Sequence, residues 1–177
     1  MKGKTIRAKR FIAHPDFNND TLDKDIAVIW LEKPMKLKKT VKPILLPEHS
    51  ERLPKVGTFL TVSGWGVIDS KGNATPAEEL RSVQLPLLSK QVCKNCYPEL
   101  ELTDSVFCAG YFLGGRGASF QDSGGPVVYN GKQYGVVSLG GDIDEFPLSP
   151  NIFSSVPKLR GFIRRNMGKV FNNTLKE

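Results

Sequence analysis

The apolar residues of this chain come in short runs, and glycine, proline or asparagine stops almost every one of them. Ile26-Ala27-Val28-Ile29-Trp30-Leu31 is too short and too β-branched for a helix. Thr5 to Ala13 reads as a strand and ends at the turn cluster His14-Pro15-Asp16-Phe17-Asn18-Asn19. Val41 to Pro47 is extended and bounded by prolines. Phe59 to Ser63 is a strand stopped by Gly64-Trp65-Gly66, Asp69 to Pro76 is a polar loop, and Leu80 to Leu87 alternates as a strand does. Val127-Val128-Tyr129 and Gln133 to Leu139 flank Asn130-Gly131, the signature of a hairpin. With 17 glycines and 12 prolines among 177 residues, this pattern predicts many short strands in a barrel or sandwich. Only the end reads as helical. Val156, Leu159, Phe162, Ile163, Met167 and Val170 recur at helix spacing, with Lys158, Arg160, Arg164 and Arg165 on the opposite face.

Composition narrows the class further. Hydrophobic residues make up 40% and charged residues 24%, which excludes wholesale disorder. No stretch approaches the roughly 18 unbroken apolar residues of a membrane helix, so no membrane partner is expected. The opening MKGKTIRAKRFIAH is basic but leads into no apolar h-region, and does not read as a secretory signal. The net charge of +7 is spread over three groups, around Lys2 to Arg10, Lys33 to Lys42, and Arg160 to Arg165. No aromatic-basic interleaving or binding motif accompanies it. The charge therefore reads as a solvated basic surface, nucleic acid is not an expected partner, and a salt-sensitive polyanion contact is the remaining reading.

Three cysteines, Cys93, Cys96 and Cys108, allow at most one intrachain bridge and leave one thiol over. Cys93 and Cys96 form a C-x-x-C, but no second ligand pair follows at zinc spacing, so no metal site is expected. Nor is the helix N-terminus of an α/β redox unit visible there. No cofactor motif appears. The triplets beginning at Asn19, Asn73 and Asn172 are glycosylation sequons compatible with secretion.

The sharpest local feature is Asp122-Ser123-Gly124-Gly125-Pro126. A small hydroxyl nucleophile in a tight turn, followed by glycines that let a substrate approach the backbone, suits acyl transfer. Asp25-Ile26-Ala27-Val28, Ser63-Gly64-Trp65-Gly66, Phe107-Cys108-Ala109-Gly110, Val137-Ser138-Leu139-Gly140 and Pro150-Asn151-Ile152-Phe153 accompany it. In this order the six segments resemble those of the trypsin/chymotrypsin family of serine endopeptidases, whose chemistry is the Ser-His-Asp template. The stretch from His14-Pro15 to Pro34-Met35-Lys36-Leu37 is most similar to the digestive trypsins of mites and their inactivated paralogues.

The resemblance implies an all-β fold of two Greek-key barrels plus a C-terminal helix. About four strands of the first barrel would be missing here. Residues 1–50 would be its remnant and crossover, 51–155 the second barrel, and 156–177 the helix and tail. It implies Ser123 as nucleophile, Asp25 as triad aspartate, and Ser138 as the hydroxyl that holds that aspartate. It implies a Cys93–Cys108 bridge, worth about 3 kcal/mol by the chain-entropy model, with Cys96 free. A secreted protein acting on protein or peptide ligands follows from it, with components of a protease cascade among its expected partners.

The pattern also departs from the family. The triad histidine should precede the aspartate by a long stretch. Only His14 precedes Asp25, in a turn position without a catalytic role, and His49 follows it. The family oxyanion site uses the N–H groups of a glycine and of the serine. Here these positions are Gln121 and Ser123. In the specificity pocket, Gly117 stands where trypsins have aspartate and Leu139 stands for tryptophan before Gly140. Asn151 replaces a glycine and is expected to fill the pocket. Ser119 replaces a half-cystine, and 141–149 holds no partner for one. Asp122, which pairs in the family with a freed N-terminus, is expected to lack a partner.

Overall fold

The structure is a computed structural model describing residues 5–68, 75–111, 115–140 and 150–167. Most of the loop at 69–76, the sequons at Asn73 and Asn172, residues 141–149 and Val170 lie outside it.

Two strands, β1 (Ala8–Ala13) and β2 (Ala27–Leu31), pair antiparallel as a separate ribbon. Among the described residues the other six strands are β3 (Phe59–Gly64), β4 (Arg81–Pro86), β5 (Val106–Ala109), β6 (Pro126–Tyr129), β7 (Lys132–Leu139) and β8 (Asn151–Ser155). They form one sheet in the order β4-β3-β6-β7-β8-β5. The sheet curls until its ends meet. Beyond β4 the Leu88 N–H donates to the Cys108 carbonyl at 2.9 Å, and the Gly110 N–H donates to that of Pro86 at 3.1 Å. Such closure removes exposed sheet edges.

Pleat periodicity decides what lies inside. Leu60 and Val62 of β3, Leu85 of β4, Phe107 and Ala109 of β5, Val127 of β6, Val137 of β7 and Phe153 of β8 fill one core. Their intervening neighbours Val106, Cys108 and Ile152 point the other way, into a second cluster beneath a short helix, α1 (Lys90–Cys96). β5 and β8 are thus buried on both faces, so they lack the polar alternation that marks an exposed strand. The hairpin joining β6 and β7 turns at Asn130 and Gly131, with φ of 45° and 72°, as its Asn-Gly sequence requires.

The expectation of a single helix is corrected by α1. Its seven residues are too few for a periodic signal. The Ser89 hydroxyl caps it, accepting the Val92 N–H at 3.2 Å, and its buried Cys93 is bonded to Cys108, Cα to Cα 5.8 Å. Cys93 and Cys96 occupy its later turn rather than the N-terminus a redox motif uses. Cys96 is free, and burial pushes its thiol pKa up.

The second helix, α2 (Val156–Asn166), buries Val156, Phe162 and Ile163 against Ile12, Val28 and Ile26 of the ribbon region and Val136 of the barrel. The ribbon's inner face is thereby covered. Its outer face is not: the cross-strand partners Phe11 and Ile29 are 65% and 56% exposed. Trp30 ties the ribbon to the end of α2, its indole N–H donating to the Asn166 carbonyl at 2.8 Å.

The connector between ribbon and barrel is fastened at Glu51. Its carboxylate accepts the Glu48 N–H at 2.9 Å, Lys132 Nζ at 2.6 Å and the Tyr134 hydroxyl at 3.0 Å. The backbone N–H of Glu48, then Lys132, hold Glu51 at about 2, below its ordinary 4.5. A depressed acid stabilises the fold above its unfolded pKa and loses that contribution as pH falls through the folded value. Acid unfolding followed by circular dichroism is therefore expected to show a loss of stability between pH 4.5 and about 2 that is smaller in Glu51→Gln.

Candidate active site

The Asp122-to-Pro126 turn is clamped onto the barrel from both sides. The Gly124 N–H donates to the Val137 carbonyl at 2.8 Å, and the Val137 N–H donates to that of Gly125 at 2.9 Å. Gly124 has φ of 81°, and a Cβ on Gly125 would come within 2.7 Å of the Asp122 carbonyl. Both glycines are therefore required by the backbone path. The turn leaves Ser123 exposed at its apex.

Asp122 does not lack partners, which corrects the sequence expectation. Its Oδ1 accepts the Gly66 N–H at 2.8 Å and its Oδ2 accepts the Ser119 N–H at 3.0 Å. The carboxylate fits because residues 64 and 66 carry no side chain. A Cβ on Gly64 would lie 2.0 Å from Oδ1, and one on Gly66 2.2 Å from Oδ2. The sequence expectation considered only a charged partner, whereas two backbone dipoles serve a half-buried carboxylate here. Beside it a cavity of about 90 Å³ runs between Gly64, Gly66, Arg81, Gly117 and Ala118.

Gln121 sits before this aspartate with φ of 74°. A side chain in the left-handed region costs on the order of 1–2 kcal/mol, which glycine avoids. Gln121→Gly is expected to raise stability by about 0.5–1 kcal/mol after glycine's greater unfolded-state entropy is counted. Equilibrium urea unfolding checks this through an increased midpoint at unchanged slope.

Asn151 opens β8 and is only 3% exposed. Its amide pairs twice with one backbone unit: Oδ1 accepts the Ala118 N–H at 2.7 Å, and Nδ2 donates to the Ala118 carbonyl at 2.9 Å. A Cβ added to Gly117 would meet Asn151 Oδ1 at 2.9 Å. The Asn151 side chain thus occupies the space beside Gly117. Across from it, Gly140 runs close to the backbone of Ala118 and Ser119, and Leu139 is 36% exposed.

Asp25 is held by the barrel. The Ser138 hydroxyl of β7 donates to its Oδ2 at 2.8 Å, and the Ser154 hydroxyl of β8 donates to its carbonyl at 2.6 Å. The loop before it is anchored by residues that sequence reasoning missed. Asp23 accepts the hydroxyls of Thr103 (2.5 Å) and Ser105, and Ser105 Oγ accepts the Lys24 N–H at 3.0 Å. Burial pushes the Asp23 acid up, but the hydroxyls of Ser105 and Thr103, with Lys24, outweigh it and the net pKa is lowered. This anchor holds Leu22 and Lys24 at φ of 56° and 55°, just ahead of Asp25. Thr103 and Ser105 lie about eighty residues away in sequence, and no local pattern marks them.

His14 packs on Phe162 with ring centroids 4.5 Å apart, and its Nδ1 accepts the Asp16 N–H at 3.2 Å. Burial, partly offset by Asp16, lowers its pKa. His49 lies on the connector, in the wall of a cleft beside Arg52 and Lys158.

The curled six-stranded sheet thus carries a serine exposed on a glycine turn and, on β7, the hydroxyl that holds Asp25. The chain belongs to the trypsin family, whose profile matches residues 1–163. It is 39% identical over 151 residues to Trypsin-1 of Salmo salar, covering 85% of this chain and 60% of that protein. It is 43% identical over 135 residues to Trypsin-3 of Homo sapiens, covering 76% and 43%, and 38% identical over 159 residues to Serine protease 1 of Rattus norvegicus, covering 90% and 62%. The chain thus spans between 43% and 62% of the length of these relatives.

Proposed function

We propose that this chain is a trypsin-family homologue that does not cleave peptide bonds by itself and acts by binding protein or peptide ligands. One observation supports the reading: the buried Asn151 amide pairs with Ala118 beside Gly117, and in this reading it takes the room a substrate's Lys or Arg side chain needs. Gln121 in place of an oxyanion glycine and the engagement of His14 elsewhere support it. In this reading Asp25 and Ser123 are triad remnants. Gly117, Ser138, Leu139, Gly140 and Asn151 line a remodelled pocket. The ligands are proteins of a protease cascade, the setting is extracellular, and kinship with inactivated mite paralogues fits both. The Cys93–Cys108 bridge is consistent with secretion.

A second reading, a piece of an active secreted endopeptidase working through an acyl-enzyme, is favoured by the intact Ser138–Asp25 bond and by the cavity beside Asp122. The two separate on the protein purified from its source. Intact mass and N-terminal sequence, followed by turnover of a mixed peptide library, are the measurements. A longer protein bearing a histidine and cleaving peptides would replace the first reading with the second. Absence of turnover with retained binding to captured peptides is the result expected here.

A further inference from the structure

We propose that a cavity beside the Cys93–Cys108 bridge binds a small apolar monocarboxylate, a fatty acid of about eight carbons, with its carboxylate on Lys158. The site is separate from the Ser123 turn and stands whether or not that serine is active. The cavity holds about 320 Å³ and lies where the connector, the end of β4, α1, β5 and α2 come together. Leu53, Val56, Leu87, Leu88, Leu102 and Phe107 supply its apolar wall. The two hydroxyls in the lining are already paired: Ser89 Oγ accepts the Val92 N–H, and the Thr103 hydroxyl donates to Asp23. Such a wall offers water too few partners, and an apolar chain makes contacts with it that an empty space forfeits.

The charged side chains of the lining are gathered together and define the ligand's head group. Lys90 Nζ lies 2.5 Å from Asp104 Oδ1, and Lys158 Nζ lies 3.9 Å from Asp104 Oδ2. All three residues line the same cavity. Two ammonium groups thus share one carboxylate, which leaves one positive charge over. Lys90 holds that acid closely, whereas Lys158 sits at the limit of ion-pair distance with its side chain 60% exposed. Lys158 is therefore the cation able to turn onto a second carboxylate. An inorganic anion would match only the charge, and a neutral alcohol only the wall. An apolar body with one anionic end matches both. Size sets the chain: at the roughly 30 Å³ that a water-sized group takes in a liquid, 320 Å³ holds about ten non-hydrogen atoms, the size of octanoate.

The test is a titration of the intact chain with sodium octanoate, followed by amide NMR, with sodium acetate and octanol as the two halves of the ligand. Saturable shifts are expected at Val106 and Cys108 of β5, and not at Ala118 or Gly140. Acetate is expected to give no saturable shift, and octanol to bind at least about tenfold more weakly than octanoate. Lys158→Glu and Val56→Asp each change an exposed residue of the lining, so the fold is expected to be kept. Each is expected to weaken octanoate at least about tenfold, while Lys42→Glu, exposed and outside the lining, leaves it unchanged. No saturable shift, shifts centred on the Ser123 turn, or octanol binding as tightly as octanoate overturns the proposal. So does full affinity in either lining variant, or an equal loss in Lys42→Glu.

Discussion

A chimaera that supplies an upstream family segment with a histidine against Asp25 is expected to remain inert toward substrates with Lys or Arg at the cleavage site. A base restores what a serine hydroxyl needs to become a nucleophile, and its loss from such a unit costs on the order of 10⁶ in turnover. A base cannot open the space that Asn151 fills, nor place an anion at Gly117. Gly117→Asp alone is also expected to fail, because its Cβ would sit 2.9 Å from Asn151 Oδ1. In the chimaera, Gly117→Asp, Asn151→Gly and Gln121→Gly together are expected to raise kcat/KM on Lys and Arg substrates by at least 10³. Removing a single oxyanion donor costs about 10²–10³ by comparison. Robust cleavage by the chimaera without these changes would show that Asn151 does not close the pocket.

The second large effect concerns the aspartate clamp. Gly64→Ala is expected to destabilise the protein by about 3 kcal/mol, because its Cβ would come within 2.0 Å of a carboxylate oxygen. Either Asp122 leaves the Gly66 and Ser119 N–H groups or the β3 end moves. Asp122→Ala alone is expected to cost about 1–3 kcal/mol, since the N–H groups of buried Gly66 and half-buried Ser119 lose their acceptor. The two losses should not add: once Asp122 is gone, Gly64→Ala should cost less than about 1 kcal/mol. A double-mutant cycle by urea unfolding measures this coupling. Simple additivity would mean that Gly64 is glycine for a reason unrelated to Asp122.

Legibility in the sequence followed locality. The β6–β7 hairpin was readable because Asn130-Gly131 specifies its own turn, and β3 and β4 because one end of each is punctuated by turn residues. α2 was readable because it has room for an apolar stripe. β5 and β8 are covered on both faces, and as strands they were hidden behind the motifs they carry. α1 is a single cap and two short turns, below the length at which periodicity speaks. At the site, Asp25, Ser123, Ser138 and Asn151 were placed by family resemblance rather than by physical pattern. The partners of Asp122 and the anchoring of Asp23 by Thr103 and Ser105 depend on folding distant segments together, which no spacing rule encodes.

The most direct measurement of the central claim is the reaction of this chain with an active-site-directed fluorophosphonate, read by intact mass and peptide mapping. Such a reagent reports a serine activated by a base and an oxyanion site, independently of the specificity pocket. The account predicts no adduct at Ser123 after hours of incubation, under conditions that label an active trypsin-family enzyme to completion. A stoichiometric adduct on Ser123 would contradict it, since it would require an activation of the serine that the proposed reading denies to this chain.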